Sequence, residues 1–229
     1  LRTGGAVTEA TRLVVLRHGE TAWNIGLRVQ GHIDEPLNEQ GRWQAERLGQ
    51  ALAGEGLAAV YSSDLQRALA TAQAVAAAAG LPRVHTDAAL RERFFGRFEG
   101  LTHPEIEARW PDEARRWRQR EAGFAPGGGE TLEAFFARCV PAVAELAARH
   151  RGQCIAVVAH GGVLDCLYRA ATGLDLQAPR TWQLGNASVN RLLWHDQGFA
   201  LVGWNDDAHL REAARQAAAR PDAAPDNPR

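Results

Sequence analysis

Ile155-Ala156-Val157-Val158-Ala159 is apolar at every position and stops at His160-Gly161-Gly162. So short a run does not make an ordinary helix, and a strand points successive side chains to opposite faces. A strand that is apolar on both faces belongs inside a sheet with helices above and below, the usual setting of parallel strands. Arg12-Leu13-Val14-Val15-Leu16-Arg17 has the same character and stops at His18-Gly19. The chain is thereby committed to an α/β design with two central strands, each followed by histidine and glycine.

The remaining pattern alternates helices with strands. Gly41, Ala45, Leu48 and Leu52 fall at helical spacing, with Gly54 as a stop signal. A strand is predicted over 58–61. Ser62, Ser63 and Asp64 are N-cap candidates for a helix marked by Leu65, Leu69, Ala72, Val75, Ala76 and Ala79. A short strand is predicted over 83–86, a long helix over 131–150 with a kink at Pro141, and a helix over 162–171. Residues 188–194 and 199–204 read as an antiparallel hairpin joined by His195-Asp196-Gln197-Gly198. Residues 96–129, rich in arginine and aromatics, read as an irregular insertion or lid. The predicted fold is a three-layer α/β/α sandwich with a mainly parallel central sheet, one antiparallel edge strand and a small helical lid insertion. One domain is expected over 1–206, starting with a loose arm. Residues 207–229 are expected to form a partly disordered tail with a helical turn or two.

Composition removes several classes of function. With 45% hydrophobic and 23% charged residues, wholesale disorder is excluded. A net charge of −1 argues against a diffuse basic surface for nucleic acid. No apolar run approaches the roughly 18 residues of a membrane span. No secretory leader is recognisable, so a cytoplasmic location is expected. All 26 basic side chains are arginine, which excludes a P-loop lysine and Schiff-base chemistry. The three cysteines form no C-x-x-C pair, and no metal-ligand spacing such as H-x-H or H-E-x-x-H is present.

Ligands of parallel sheets bind outside the carboxyl ends of the strands, where both histidines lie. A single histidine there is more often structural, but two in one crevice point to a site. Arg67, in the first turn of a helix, faces the positive end of the helix dipole, an unfavourable place unless an anion shares it. With Arg17, the set suits a tetrahedral phosphoryl group, whose oxygens pair with guanidinium forks.

Leu16-Arg17-His18-Gly19-Glu20-Thr21 resembles the R-H-G signature of the histidine phosphatase superfamily, the phosphoglycerate-mutase-like proteins. The resemblance continues in order through Trp23-Asn24, Gln30-Gly31, Pro36 to Gly41, Ser62 to Ala68, Leu90-Arg91-Glu92 and His160-Gly161-Gly162. It implies that His18 is the nucleophile and becomes phosphorylated. Arg17, Asn24, Arg67, His160 and Gly161 would hold the phosphoryl group, and Gln30 and Gly31 would contribute to substrate binding. Glu92 would act as general acid and base, although the residues alone equally allow a surface ion pair with Arg91 or Arg93.

The resemblance implies no metal and no cofactor, save 2,3-bisphosphoglycerate as primer if the protein is a mutase. Phe94 to Thr102 and Pro126 to Glu130 are similar to the phosphatase branch. The expected activity is therefore hydrolysis of a small phosphorylated metabolite by a monomer or homodimer, without nucleic acid or membrane partners. A phosphoglycerate mutase and a non-catalytic phosphate-binding module are the alternatives. Arg109, Arg115, Arg116, Arg118 and Arg120 are expected on a solvated helix face, and Trp110 and Trp117 packed against the main body.

Overall fold

A computed structural model describes residues 9–218. Its centre is one six-stranded sheet in the order β3-β2-β4-β1-β5-β6. The strands are β1 (Thr11–Arg17), β2 (Leu57–Ser62), β3 (His85–Thr86), β4 (Cys154–Ala159), β5 (Val189–His195) and β6 (Gly198–Asp206). The two apolar runs, β1 and β4, lie side by side and parallel in the middle. Alternate side chains face opposite layers. Leu13, Val15, Ile155 and Val157 pack with α6 (Leu132–Ala148) and α7 (Gly161–Thr172). Val14, Leu16, Ala156 and Val158 pack with α2 (Glu39–Leu52) and α3 (Gln66–Ala78). That is the expected three-layer sandwich.

Several details differ from the reading of the sequence. The strand running against the others is β5, one place in from the edge; β6 pairs antiparallel to β5 and so points the same way as β1. The cause is the hairpin, whose two strands must oppose each other whichever is outermost. Helix α3 begins after Leu65, which makes no side-chain cap. Its cap comes from a distant loop instead, where Asp34 Oδ1 accepts from Gln66 N at 2.7 Å. Asp64 is instead held by Arg91, with bonds of 2.7 and 2.5 Å. Helix α6 runs on through Pro141.

At the carboxyl end, α8 (Ala208–Ala218) is a three-turn helix where one or two turns were expected. Its Leu210 packs on the α2–α3 layer, burial that the flanking polar sequence hides. The rest of the predicted tail and most of the predicted arm lie outside the described residues.

The segment after Glu92 carries two short helices, α4 (His103–Arg109) and α5 (Pro111–Arg118). Trp110 and Trp117 pack on Phe98 inside the lid, at 5.5 and 5.6 Å between ring centroids, and not against the main body. Phe98, Ile106, Ala114 and Val29 form a separate small core there. Two hydrogen bonds between Val29 and the Gly100–Leu101 backbone tie this core to the loop following α1 (Ala22–Ile25). Among the described residues, no helix is long and apolar enough to cross a membrane.

Candidate active site

The register of β1 against β4 sets Arg17 beside Ala159. The next residue of each strand is a histidine, so both imidazoles leave the same edge of the sheet. Their ring centroids are 5.2 Å apart. His18 is 3% exposed and His160 0%. His18 Nδ1 lies 2.7 Å from the Gly19 carbonyl oxygen. A carbonyl only accepts, so Nδ1 carries the proton and Nε2 keeps its lone pair. Burial holds the His18 pKa well below its usual value, and Arg67 and Arg17 press it further down. Burial, Arg67, His18 and Arg17 do the same to His160, neither of whose ring nitrogens has a hydrogen-bond partner among the described residues.

Two guanidiniums lie near these rings. Arg67 is 0% exposed, and it donates to the carbonyls of Ile33 at 2.9 Å and Gly31 at 2.8 Å. Arg17 Nη1 donates to the Leu184 carbonyl at 2.6 Å. The Nε of both arginines is buried without a partner among the described residues. Burial lowers Arg17 to about 10, against the pull of Glu92 and with repulsion from Arg180 and Arg67. Both remain cations at neutral pH. Gly161 opens α7 beside Arg17, so the positive end of that helix points into the same space.

The loop carrying His18 is clamped from three elements. Gly19 N donates to Thr71 Oγ1 of α3 at 3.0 Å, and Glu20 N to Gln44 Oε1 of α2 at 2.8 Å. Asn186 Nδ2 donates to the His18 carbonyl at 3.0 Å, and Ala187 N to the same oxygen at 3.2 Å. Helix α2 touches the loop through Gly41, where a Cβ would collide with the Glu20 carbonyl oxygen.

Glu92 is not a surface ion-pair partner. Its Oε2 accepts from Gly162 N at 2.9 Å and its Oε1 from Arg93 N at 2.8 Å. Arg93 itself spends its guanidinium on the carbonyls of Glu130 and Phe124. The carboxylate therefore sits against the first turn of α7, two residues from His160, in space that a Cβ on Gly162 would fill. Asn24 Oδ1 is occupied by Thr21 N and Oγ1 at 3.0 Å each, which leaves its Nδ2 to donate beside Arg17.

Gly31 serves the site through its carbonyl to Arg67. Its neighbours His32 and Ile33 donate their backbone N–H groups to Glu99 at 3.0 and 3.2 Å. Gln30 Oε1 is buried without a partner among the described residues. Asn186, Thr71 and Glu99 escaped the sequence reading because each acts through backbone atoms of another segment. Only the turn-like Gly185-Asn186-Ala187 before β5 hinted at the first.

The lid arginines divide. Arg115, Arg116 and Arg118 pair with Asp112, Glu121 and Glu107 at the surface, and Arg109 is exposed. Arg120 turns inward to Asp165 at 2.7 Å. A cavity of about 490 Å³ opens beside Glu92 and Gly162, between the lid and α7. Among the described residues, no group of three or more His, Cys, Asp or Glu side chains is placed to hold a metal ion.

The arrangement presents a neutral imidazole with a free lone pair, two forks of positive charge and a carboxylate on one edge of a sheet. Known proteins resemble the chain in sequence and fold. The chain is 38% identical over 205 residues to a metal-independent phosphoserine phosphatase of Arabidopsis thaliana, covering 89% of this chain and 84% of that protein. It is 39% identical over 203 residues to phosphoglycerate mutase-like protein 4 of the same plant, covering 87% of each. The structure of mycobacterial glucosyl-3-phosphoglycerate phosphatase in complex with VO3 superposes with a TM-score of 0.78 at 38% identity, covering 86% of this chain and 99% of that one. The sequence description of the histidine phosphatase superfamily (branch 1) matches residues 13–207, and with that span the chain belongs to this superfamily.

Proposed function

We propose that this protein is a metal-independent phosphomonoesterase that passes the phosphoryl group of a small metabolite through Nε2 of His18. The observation that carries the reading is the Nδ1 contact to the Gly19 carbonyl, which fixes the reactive tautomer beside two arginines. Phosphoryl transfer needs positioning and charge stabilisation more than covalent help, and the two guanidiniums offer both. The Nε2 lone pair attacks phosphorus as the ester oxygen leaves, and Glu92 gives that oxygen a proton. Glu92 then takes a proton from water, whose oxygen attacks phosphorus and breaks the P–N bond. Inorganic phosphate leaves and His18 returns to its neutral form. Arg17, Arg67, His160 and the Asn24 Nδ2 hold the three equatorial oxygens throughout.

The names of the relatives support hydrolysis of a small phosphate ester as the overall reaction. The test is phosphate release from p-nitrophenyl phosphate in the presence of EDTA, with rapid quenching in base to trap an acid-labile phosphohistidine. Turnover and the trapped species are both expected in the native protein and absent in His18→Ala. Absence of turnover across pH 5–8 in folded native protein would favour a binding module. Conversion of 3-phosphoglycerate to 2-phosphoglycerate, primed by 2,3-bisphosphoglycerate and faster than phosphate release, would establish a mutase instead.

A further inference from the structure

The segment just before β5 lies against the His18 loop, and its side chains are outside the phosphoryl cradle described above. Leu184 offers its carbonyl to Arg17 Nη1 at 2.6 Å. Ala187 N reaches the carbonyls of Arg17 at 3.1 Å and His18 at 3.2 Å. Between these two residues, the side chain of Asn186 meets three oxygens. Its Nδ2 lies 3.0 Å from the His18 carbonyl, 3.3 Å from the Gly19 carbonyl and 3.2 Å from Asn24 Oδ1. All three only accept, so it is the NH2 end of the Asn186 amide that must face them. Two of these acceptors have a second duty. The Gly19 carbonyl also takes the Nδ1 proton of His18 at 2.7 Å. Asn24 Oδ1 also takes Thr21 N at 3.0 Å, which leaves Asn24 Nδ2 beside Arg17. Asn186 is itself held in place. Ala187 has a φ of +52°, a strained value for a residue with a Cβ, and its N–H meets the His18 loop from there. Gly185 N donates to Asn205 Oδ1 at 2.7 Å, and Asn205 N donates to Asn190 Oδ1 at 2.8 Å. Asn190 Nδ2 in turn donates to the Val15 carbonyl at 3.1 Å. This chain of amides ties the segment to β1, the strand that leads into His18.

We infer that Asn186 is a positioning residue that selects both the tautomer of His18 and the orientation of the Asn24 amide. The inference rests on the phosphatase reading given above, in which Nε2 of His18 attacks. A neutral imidazole can carry its proton on either nitrogen, and only the form with Nδ1–H leaves Nε2 a lone pair. A carbonyl kept within reach of Nδ1 favours that form. Asn186 keeps it there by holding the carbonyls of both His18 and Gly19, so the ring and its acceptor cannot drift apart. The same NH2 group works on Asn24. Turning the Asn24 amide over would set its NH2 against the Thr21 N–H and the Asn186 NH2, donor against donor, and would aim an oxygen at the anion. Asn186 thus penalises the wrong rotamer of one phosphate-binding group and the wrong tautomer of the nucleophile, while touching neither substrate nor reacting atoms.

The experiment reads the imidazole nitrogens directly, by NMR of histidine-labelled protein at neutral pH. The His18 signals are identified by their loss in His18→Ala. In the native protein the proton is expected on Nδ1, and a proton on Nε2 there overturns the inference without any variant. Asn186→Ala removes the donors, and Asn186→Asp replaces them with an acceptor at nearly the same volume, so either carries the test if the other fails to fold. Both are expected to show a population with the proton on Nε2. The kcat for p-nitrophenyl phosphate is expected to fall about tenfold in Asn186→Ala, the scale of one lost hydrogen bond. Unchanged His18 signals in a folded variant overturn the inference, however slow that variant is. The Asn24 half is tested by a double-mutant cycle. If Asn186 acts through Asn24, the variant carrying both Asn24→Ala and Asn186→Ala loses less than the product of the single losses, and losses that simply multiply overturn that half. Native protein that keeps its proton on Nδ1 but turns over no ester overturns the phosphatase reading and leaves the role of Asn186 standing.

Discussion

A neutral imidazole wedged beside two guanidiniums has consequences for stability as well as reactivity. Unfolded histidine titrates near 6.5, whereas burial and the neighbouring arginines hold His18 and His160 well below that. Between the two values the unfolded chain binds more protons than the folded one. Stability is therefore full above about pH 6.5 and falls as pH drops toward the folded values, by up to about 1.4 kcal/mol per unit for each ring. Thermal melts in phosphate-free buffer are expected to show this loss between pH 7 and 5, with a shallower slope in His160→Ala. An identical slope would mean that the His160 ring titrates alike in the folded and unfolded chain. His18, His160 and Arg17 could be found in the sequence because each ends a run of unmistakable strand character. Glu99 and Asn186 could not, since their partners are backbone atoms far away in the chain, which no local pattern encodes.

At the level of elements, the site is a set of termini pressed together. β1 supplies Arg17 and His18, β4 leads to His160, and the first turn of α3 supplies Arg67. The loop between α1 and α2 both caps α3 through Asp34 and holds Arg67 through two carbonyls. Alternating apolar runs and helical spacing made most of these elements legible, and the rule about strand ends pointed to the edge where His18 and His160 meet. The caps were less legible. Ser62, Ser63 and Asp64 offered a local N-cap for α3, and a residue some thirty positions earlier took the role. The contact of α2 with the His18 loop is similarly tertiary, and it can be probed at one atom. Gly41→Ala adds a methyl group that overlaps the Glu20 carbonyl oxygen, and backbone on both sides leaves little room to relax. Overpacking of this kind costs about 1–3 kcal/mol, and here the displaced segment carries His18, the proposed nucleophile. The variant is expected to lose phosphatase activity by more than its stability loss alone explains. Fold integrity, read by circular dichroism at assay temperature, separates the two effects, and full activity would show that the loop tolerates a shifted helix.

Across the whole molecule, an anion at this site would join parts of the chain that are otherwise far apart. Arg17, Arg67, His160 and the start of α7 come from three strand-to-helix crossings spread over residues 17–161. Among the described residues, the buried Nε atoms of Arg17 and Arg67 have no hydrogen-bond partner. Binding of a phosphate mimic should therefore stabilise the folded state alone, since the unfolded chain has no such cluster. Linkage sets the size: at a hundred times its dissociation constant, a ligand contributes about 2.7 kcal/mol. For a domain of this length each kcal/mol raises the melting temperature by about 2–4 °C, so vanadate is expected to raise it by about 5–11 °C. The response should rise logarithmically with ligand concentration and be insensitive to EDTA. Arg67→Ala removes a fully buried cation close to both histidines and is expected to abolish the shift, whatever it does to the unliganded melt. An equal shift in that variant would place the anion elsewhere on the surface, and the assignment of the two strand-end histidines to a single phosphoryl site would go with it.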